Sequence, residues 1–254
     1  MDTGLIVYGD VIWGAELSGT YSWDNPEDAL GESSQRISVA TLSASSSYWW
    51  AFDLGVSTEL DALGIINHNM HTLGMDEIRV RTSADGVAWG VPVITETPAA
   101  YMEPNMCMTF TPTSARFWRI DLMNISGTGT FQVGAVMLGT ALELDQAPAA
   151  PYIVRSGDLA HTKETRGGGV FASAGGGIVR RVGLRWTLAP ASMAAELVDV
   201  YRVQEGSRHP ICFVDHASDG SDPYACRYMS MEDLRVGQVG KGDRWAIQLE
   251  LEDA

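Results

Sequence analysis

The chain has 254 residues, 45% of them hydrophobic, enough for one large or two ordinary domains with cores of their own. Its formal charge is −15, and 18 Asp and Glu against five Arg and no Lys place −13 of that before residue 148. Such a surface repels polyanions and anionic lipid, which argues against sequence-independent nucleic-acid binding and attraction to a membrane. No stretch reaches the ~18 apolar residues of a spanning helix. The opening MDTGLIVYGD has neither a basic n-region nor an apolar core, so no signal peptide is expected. Cys107, Cys212 and Cys226 are too few and too widely spaced for a disulfide scaffold or a zinc site. Buried free thiols are expected, with a Cys212–Cys226 bridge as the alternative if their strands are neighbours.

Twenty-seven glycines and short apolar runs predict a mainly-β protein. The first distinctive stretch is SWDNPEDALGE, a loop rich in acids: Asp24, Glu27, Asp28 and Glu32. A solvated acidic loop is the reading favoured, with a structural Ca²⁺ held by those carboxylates as the alternative; no other cofactor is expected. Tyr21 and Trp23 stand beside Asp24 and Asn25. Aromatic rings can stack on a sugar while amides and carboxylates take its hydroxyls, so these four are the candidate ligand-binding residues; the competing reading packs Trp23 into the end of the fold.

Strands are predicted at Trp49–Asp53, Leu63–Asn67, Glu77–Thr82, Met106–Phe110, Phe117–Leu122 and Phe131–Leu138. Glu77-Ile78-Arg79-Val80-Arg81 alternates polar and apolar side chains, as a half-buried strand does. Ser83-Ala84-Asp85-Gly86 then supplies turn chemistry. His68 and His71 follow a strand without a third ligand at suitable spacing and read as loop histidines. Arg116 and Arg119 read as ion-pair partners for nearby acids. The prolines of LDQAPAAP mark a boundary, giving domains 1–147 and 148–254.

Beyond it, RGGGVFASAGGGIVRR reads as mobile loops or a long hairpin arm, in which Val170 and Phe171 await a neighbouring subunit. Val179–Leu188 reads as a strand. Pro190 to Gln204 reads as a helix: Pro190 suits the first turn, Met193, Leu197, Val200 and Tyr201 share a face, and Gly206 stops it. Strands follow at Ile211–Asp215, Tyr224–Met231 and Arg244–Glu250. The alternation that begins with Trp245 and Ile247 makes those two candidate assembly residues at a sheet edge.

Chemistry-bearing motifs are missing. There is no Gly-x-Ser-x-Gly elbow, and the glycine triplets lack the Gly-Lys-Ser/Thr ending of a phosphate loop. The chain is therefore read as no enzyme; a glycosidase carrying a binding module is the enzyme alternative, weakened by the absence of a carboxylate constellation in the second half.

Four segments carry a resemblance: Trp50 with Asp53-Leu54-Gly55, the strand before His68-Asn69, Ser83-x-Asp85-Gly86-x-x-Trp89, and Ala115-Arg116-Phe117-x-Arg119. In order and spacing over roughly 100 residues they resemble discoidin-type domains, the coagulation-factor C-domain family. The resemblance implies a jelly-roll β-sandwich whose variable tip loops bind glycans, lipids or proteins. The His68-Asn69 variant is similar to versions in bacteriophage tail proteins, and the second half resembles the tail-tube fold of distal-tail and minor-tail proteins. Together these imply a jelly-roll sandwich followed by a small tube-fold domain with one helix, in a structural protein of the virion tail tip. Its partners would be other tail proteins, a homo-oligomeric ring of its own copies and a host-surface glycan. The alternative is a carbohydrate-binding adhesin acting through the sandwich loops.

Overall fold

A computed structural model describes residues 5–9, 16–19, 38–42, 47–75, 77–96, 105–149, 153–158, 161–164, 170–173, 178–214, 226–240 and 243–253. In chain order the strands are β1 (Leu5–Tyr8), β2 (Glu16–Gly19), β3 (Ser38–Leu42), β4 (Tyr48–Ile66), β5 (Glu77–Ser83), β6 (Ile94–Glu96), β7 (Met106–Met123), β8 (Gly129–Val133) and β9 (Ala135–Glu143). Beyond residue 150 come β10 (Ile153–Asp158), β11 (His161–Glu164), β12 (Val170–Ser173), β13 (Ile178–Pro190), α1 (Ala191–Val203), β14 (Ile211–Val214), β15 (Arg227–Gln238) and β16 (Arg244–Asp253). The protein is mainly β, with antiparallel pairing throughout and α1 as the single α-helix among the described residues.

Two of the expected strand breaks are absent. Trp49–Asp53 and Leu63–Asn67 belong to one bent strand, β4, and Met106–Phe110 and Phe117–Leu122 belong to another, β7. The two pair along nearly their whole length, with register shifts between Asp53 and Thr58 and between Leu60 and Ala62. Irregularities of this kind let a strand bend without ending, so polar residues in the middle of a run bend these strands rather than break them. Phe131–Leu138 shows the reverse: Gly134 divides it, leaving Phe131 to Val133 in β8 and Ala135 to Leu138 in β9.

The first core lies between two layers. By period two, Trp50 and Phe52 of β4, Trp118, Ile120 and Leu122 of β7, and Ile78 and Val80 of β5 turn to the same side. The β3–β8 pair covers them with Phe131 and Val133, and the Trp50 and Phe131 rings lie 5.8 Å apart. Each such side chain contributes roughly 1.5–3 kcal/mol by leaving water. This is the sandwich that the motifs imply.

The second core is built by β13, β16 and β15, which contribute Leu184, Trp186, Leu249, Leu251, Met229 and Met231. Met193, Leu197 and Val200 of α1 close it, as the helical spacing predicts. The helix starts after Pro190 and stops where Gly206 takes φ +71° and donates its N–H to the Tyr201 carbonyl.

β1 joins the two halves. It pairs with β9 on one side and β14 on the other, so a single sheet runs in the order β10-β13-β16-β15-β14-β1-β9-β4-β7-β5-β6. Ile6 enters the second core, while Val7 packs with Ala62, Cys107 and Cys212 in a third cluster at the junction. The Gln204 side chain is buried at the end of α1, accepting from the Gly9 N–H and donating to the Pro210 carbonyl.

Candidate functional site

The motif residues of the sandwich are explained first by packing and turn geometry. Arg116 donates to both oxygens of Asp53 at 2.6 Å, and Asp53 also accepts the Gly55 N–H at 2.8 Å. The Arg116 guanidinium and then the Gly55 amide hold the Asp53 carboxyl below the usual carboxylate range. Asp85 accepts the N–H groups of Ala88 and Val87 and the hydroxyl of Ser83, which lowers its pKa in the same way. Gly86 takes φ +73° with the Phe117 ring 3.0 Å from where a Cβ would stand, so any side chain there would be strained and crowded. Arg116 thus behaves as the expected ion-pair partner.

Arg119 does so as well, but in a richer setting. Trp50 points inward, so its neighbour Trp49 points outward, onto the face away from the core. Arg119 and Asp121 of β7 share that outer face with Arg81 and Arg79 of β5. Arg119 donates to one oxygen of Asp121 at 2.6 Å and Arg81 to the other at 2.8 Å. The Asp121 side chain is only 4% exposed, and two cations against one buried anion leave the cluster positive. The turn after β5 brings Trp89 back over this face, fixed by the Gly90 N–H on the Thr82 carbonyl and by Arg81 on the Gly90 carbonyl. As a result the Arg119 guanidinium lies 4.7 Å from the centre of the Trp49 ring and 5.6 Å from that of Trp89. Its terminal nitrogens make no hydrogen bond to a described residue. The outcome is a half-exposed platform of two indoles and a guanidinium, held rigid from behind by a buried carboxylate.

From the sequence, Trp89 belonged to the discoidin-like motif, Arg119 was an ion-pair partner, and Trp49 and Arg81 lay in predicted strands; that these meet, with Asp121 between the arginines, was not foreseen, and none of them was a candidate site residue. The only available signal was the adjacency Trp49-Trp50: in a strand, one of two neighbouring tryptophans must face outward.

The other candidates fall as follows. Tyr21, Trp23, Asp24 and Asn25 lie outside the described residues, as do the acids proposed for Ca²⁺. Val170 and Phe171 lie on β12, which pairs with β11 as a hairpin. Trp245 and Ile247 lie on β16, which β13 and β15 flank on both sides, and Ile247 is buried in the second core. The alternation there marks an interior strand, so it offers no free edge, and the assembly role expected of these two is corrected. His68 is buried, and burial drops its pKa to about 4. Among the described residues no group of three metal-ligating side chains is found. The three cysteines are thiols and form no disulfide; burial pushes the Cys107 thiol well up, with Cys212 close enough to add to it.

No family model and no curated protein matches the chain. Several solved structures are similar to about half of it. A Clostridium perfringens module, CpGH89CBM32-5, in complex with GalNAc-β-1,3-galactose, shares 11% identity over 51% of this chain and 99% of its own, with a TM-score of 0.43. A pectin-binding carbohydrate-binding module shares 14% over 54% and 93%, with a TM-score of 0.38. Chitosan-binding module 2 of a Paenibacillus sp. IK-5 chitosanase/glucanase, in complex with chitotriose, shares 12% over 51% and 99%, with a TM-score of 0.42. The tail-tip reading is corrected at this point: the three structures are named as carbohydrate-binding modules, and none of them is a phage, virion or tail protein. The mainly-β sandwich read from the sequence is what the fold shows, and the tube fold finds no counterpart among these structures.

Proposed function

We propose that the chain binds carbohydrate without turning it over, using the outer face of its sandwich. The observation that carries this reading is the platform of Trp49, Arg119 and Trp89. Indole faces and edges take the apolar face of a sugar ring, and a guanidinium held in place donates to hydroxyls at little ordering cost. Because Asp121 fixes Arg119 beforehand, the ligand has little side-chain entropy to remove. A site of one or two aromatics binds at roughly millimolar to micromolar strength. Tyr21, Trp23, Asp24 and Asn25 are a second proposed contact in the same function.

The test is calorimetric titration of the full chain with chitotriose and with GalNAc-β-1,3-galactose, beside Trp49→Ala, Trp89→Ala and Trp23→Ala. Affinity for one of these sugars that drops tenfold or more in Trp49→Ala and Trp89→Ala, with circular dichroism unchanged, supports the platform. Loss in Trp23→Ala alone moves the site to the loop. No heat with either sugar at millimolar concentration refutes the reading.

A further inference from the structure

A second surface carries polar side chains that neither the fold nor the platform uses. On the outer face of the second half, Arg185 of β13, Gln248 of β16 and Arg235 of β15 stand in one cross-strand row. Neighbouring strands are about 4.8 Å apart, so the row places three hydrogen-bonding heads across roughly 10 Å. Next to it the register of β13 slips between Trp186 and Ala189, and the extra residue opens the surface beside Thr187. The facing positions are Ala246 and Gly237, too small to fill the gap. A shallow groove of about 310 Å³ results, with Trp186 and Ile247 beneath it.

The charged residues lining this groove are arginines only. Asp233 is tied to Arg235 at 2.7 Å, and Glu250 accepts from the Gln248 amide at 3.1 Å; both lie outside the lining. The Arg185 guanidinium makes no hydrogen bond and no ion pair with a described residue, although the chain as a whole carries −15. The Gln248 carbonyl oxygen is likewise unused among the described residues and can accept from a hydroxyl. An exposed cation without a counter-ion among the described residues, an acceptor beside it and a floor wide enough for one ring describe a ligand with both a negative group and hydroxyls.

We propose that this groove is a second saccharide site, selective for a sugar bearing a carboxylate. Arg185 takes the carboxylate through its planar fork, Gln248 accepts a ring hydroxyl, and Arg235 donates to another while staying paired with Asp233. Its charge selectivity is independent of the platform, where the guanidinium already serves Asp121.

The experiment uses the full chain and a trigalacturonate probe, with the fully methyl-esterified trimer as the uncharged control. Heteronuclear NMR follows the Arg185, Gln248 and Arg235 signals during titration. The expected result is saturable shifts in that row with the acid and at least tenfold weaker binding of the ester. Arg185→Gln should weaken the acid tenfold or more and leave the ester unchanged, and raising salt should weaken the acid alone. Trp89→Ala should alter neither result at this groove, so failure of the platform and failure of the groove are told apart. Equal affinity for acid and ester, unchanged binding in Arg185→Gln, or no shifts in the row would overturn the proposal.

Discussion

His68 offers the most quantitative test of the fold. The residue is 7% exposed and its pKa is held near 4 by burial, against 6.5 for a free histidine. The lowered value means that the unfolded chain binds the proton more readily. The stability carried by neutral His68 is therefore complete above pH 6.5 and is lost progressively as the pH falls toward 4. The full difference between 6.5 and about 4 corresponds to about 3.4 kcal/mol at 1.36 kcal/mol per pH unit. Between pH 8 and pH 5 the linkage relation gives a loss of about 2 kcal/mol from this residue alone. Carboxylates also titrate as the pH falls, so the informative quantity is a difference between proteins. Urea unfolding followed by tryptophan fluorescence, at pH 8 and pH 5, would be run on the native chain and on His68→Gln. The variant should be the less stable protein at pH 8, and its stability should fall by about 2 kcal/mol less on going to pH 5. Equal losses in the two proteins would refute the reasoning, since a histidine that titrates normally in the fold adds no such slope.

Two further outcomes follow from packing. Asp121→Ala leaves Arg81 and Arg119 facing each other with no anion between them; thermal unfolding should show a loss of about 3 kcal/mol, most of it regained when Arg81 is also replaced by Met. Gly139→Ala would place a Cβ 2.2 Å from the Tyr8 carbonyl oxygen, which is backbone and cannot swing away. The variant should lose about 3 kcal/mol or more, with hydrogen exchange accelerating first at the β1 amides, because β1 is the strand forced off β9. Native-like exchange at Ile6 and Tyr8 would count against that account.

Local chemistry made much of this protein legible in its sequence. Alternation placed β5 and β16, the spacing of Met193, Leu197 and Val200 placed α1, and the Ser83–Gly86 run placed its turn, because each depends on residues within a few positions of one another. The ion pairs of Arg116 and Arg119 were readable in kind, since a half-buried guanidinium on a strand must find an anion. Where strands end was less readable: β4 and β7 run on through polar segments because each supports the other across the bend. Edge or interior was unreadable for Trp245 and Ile247, because an alternating strand looks the same with one partner or two.

What only the tertiary structure decided is who meets whom across long separations. The platform joins Trp49, Arg81, Trp89, Arg119 and Asp121 from three strands and a turn, and the groove joins Arg185, Arg235 and Gln248 from three more. β1 is the plainest case. Leu5–Tyr8 is a four-residue apolar run with nothing in it to name a partner, yet it is the strand that stitches β9 to β14. No strand was expected for this segment from the sequence, because four apolar residues beside a turn-forming Gly-Asp are too short a run to show alternation or a partner. Its place was decided by the two open edges that need backbone partners on either side, a requirement that exists only once both halves have folded around it.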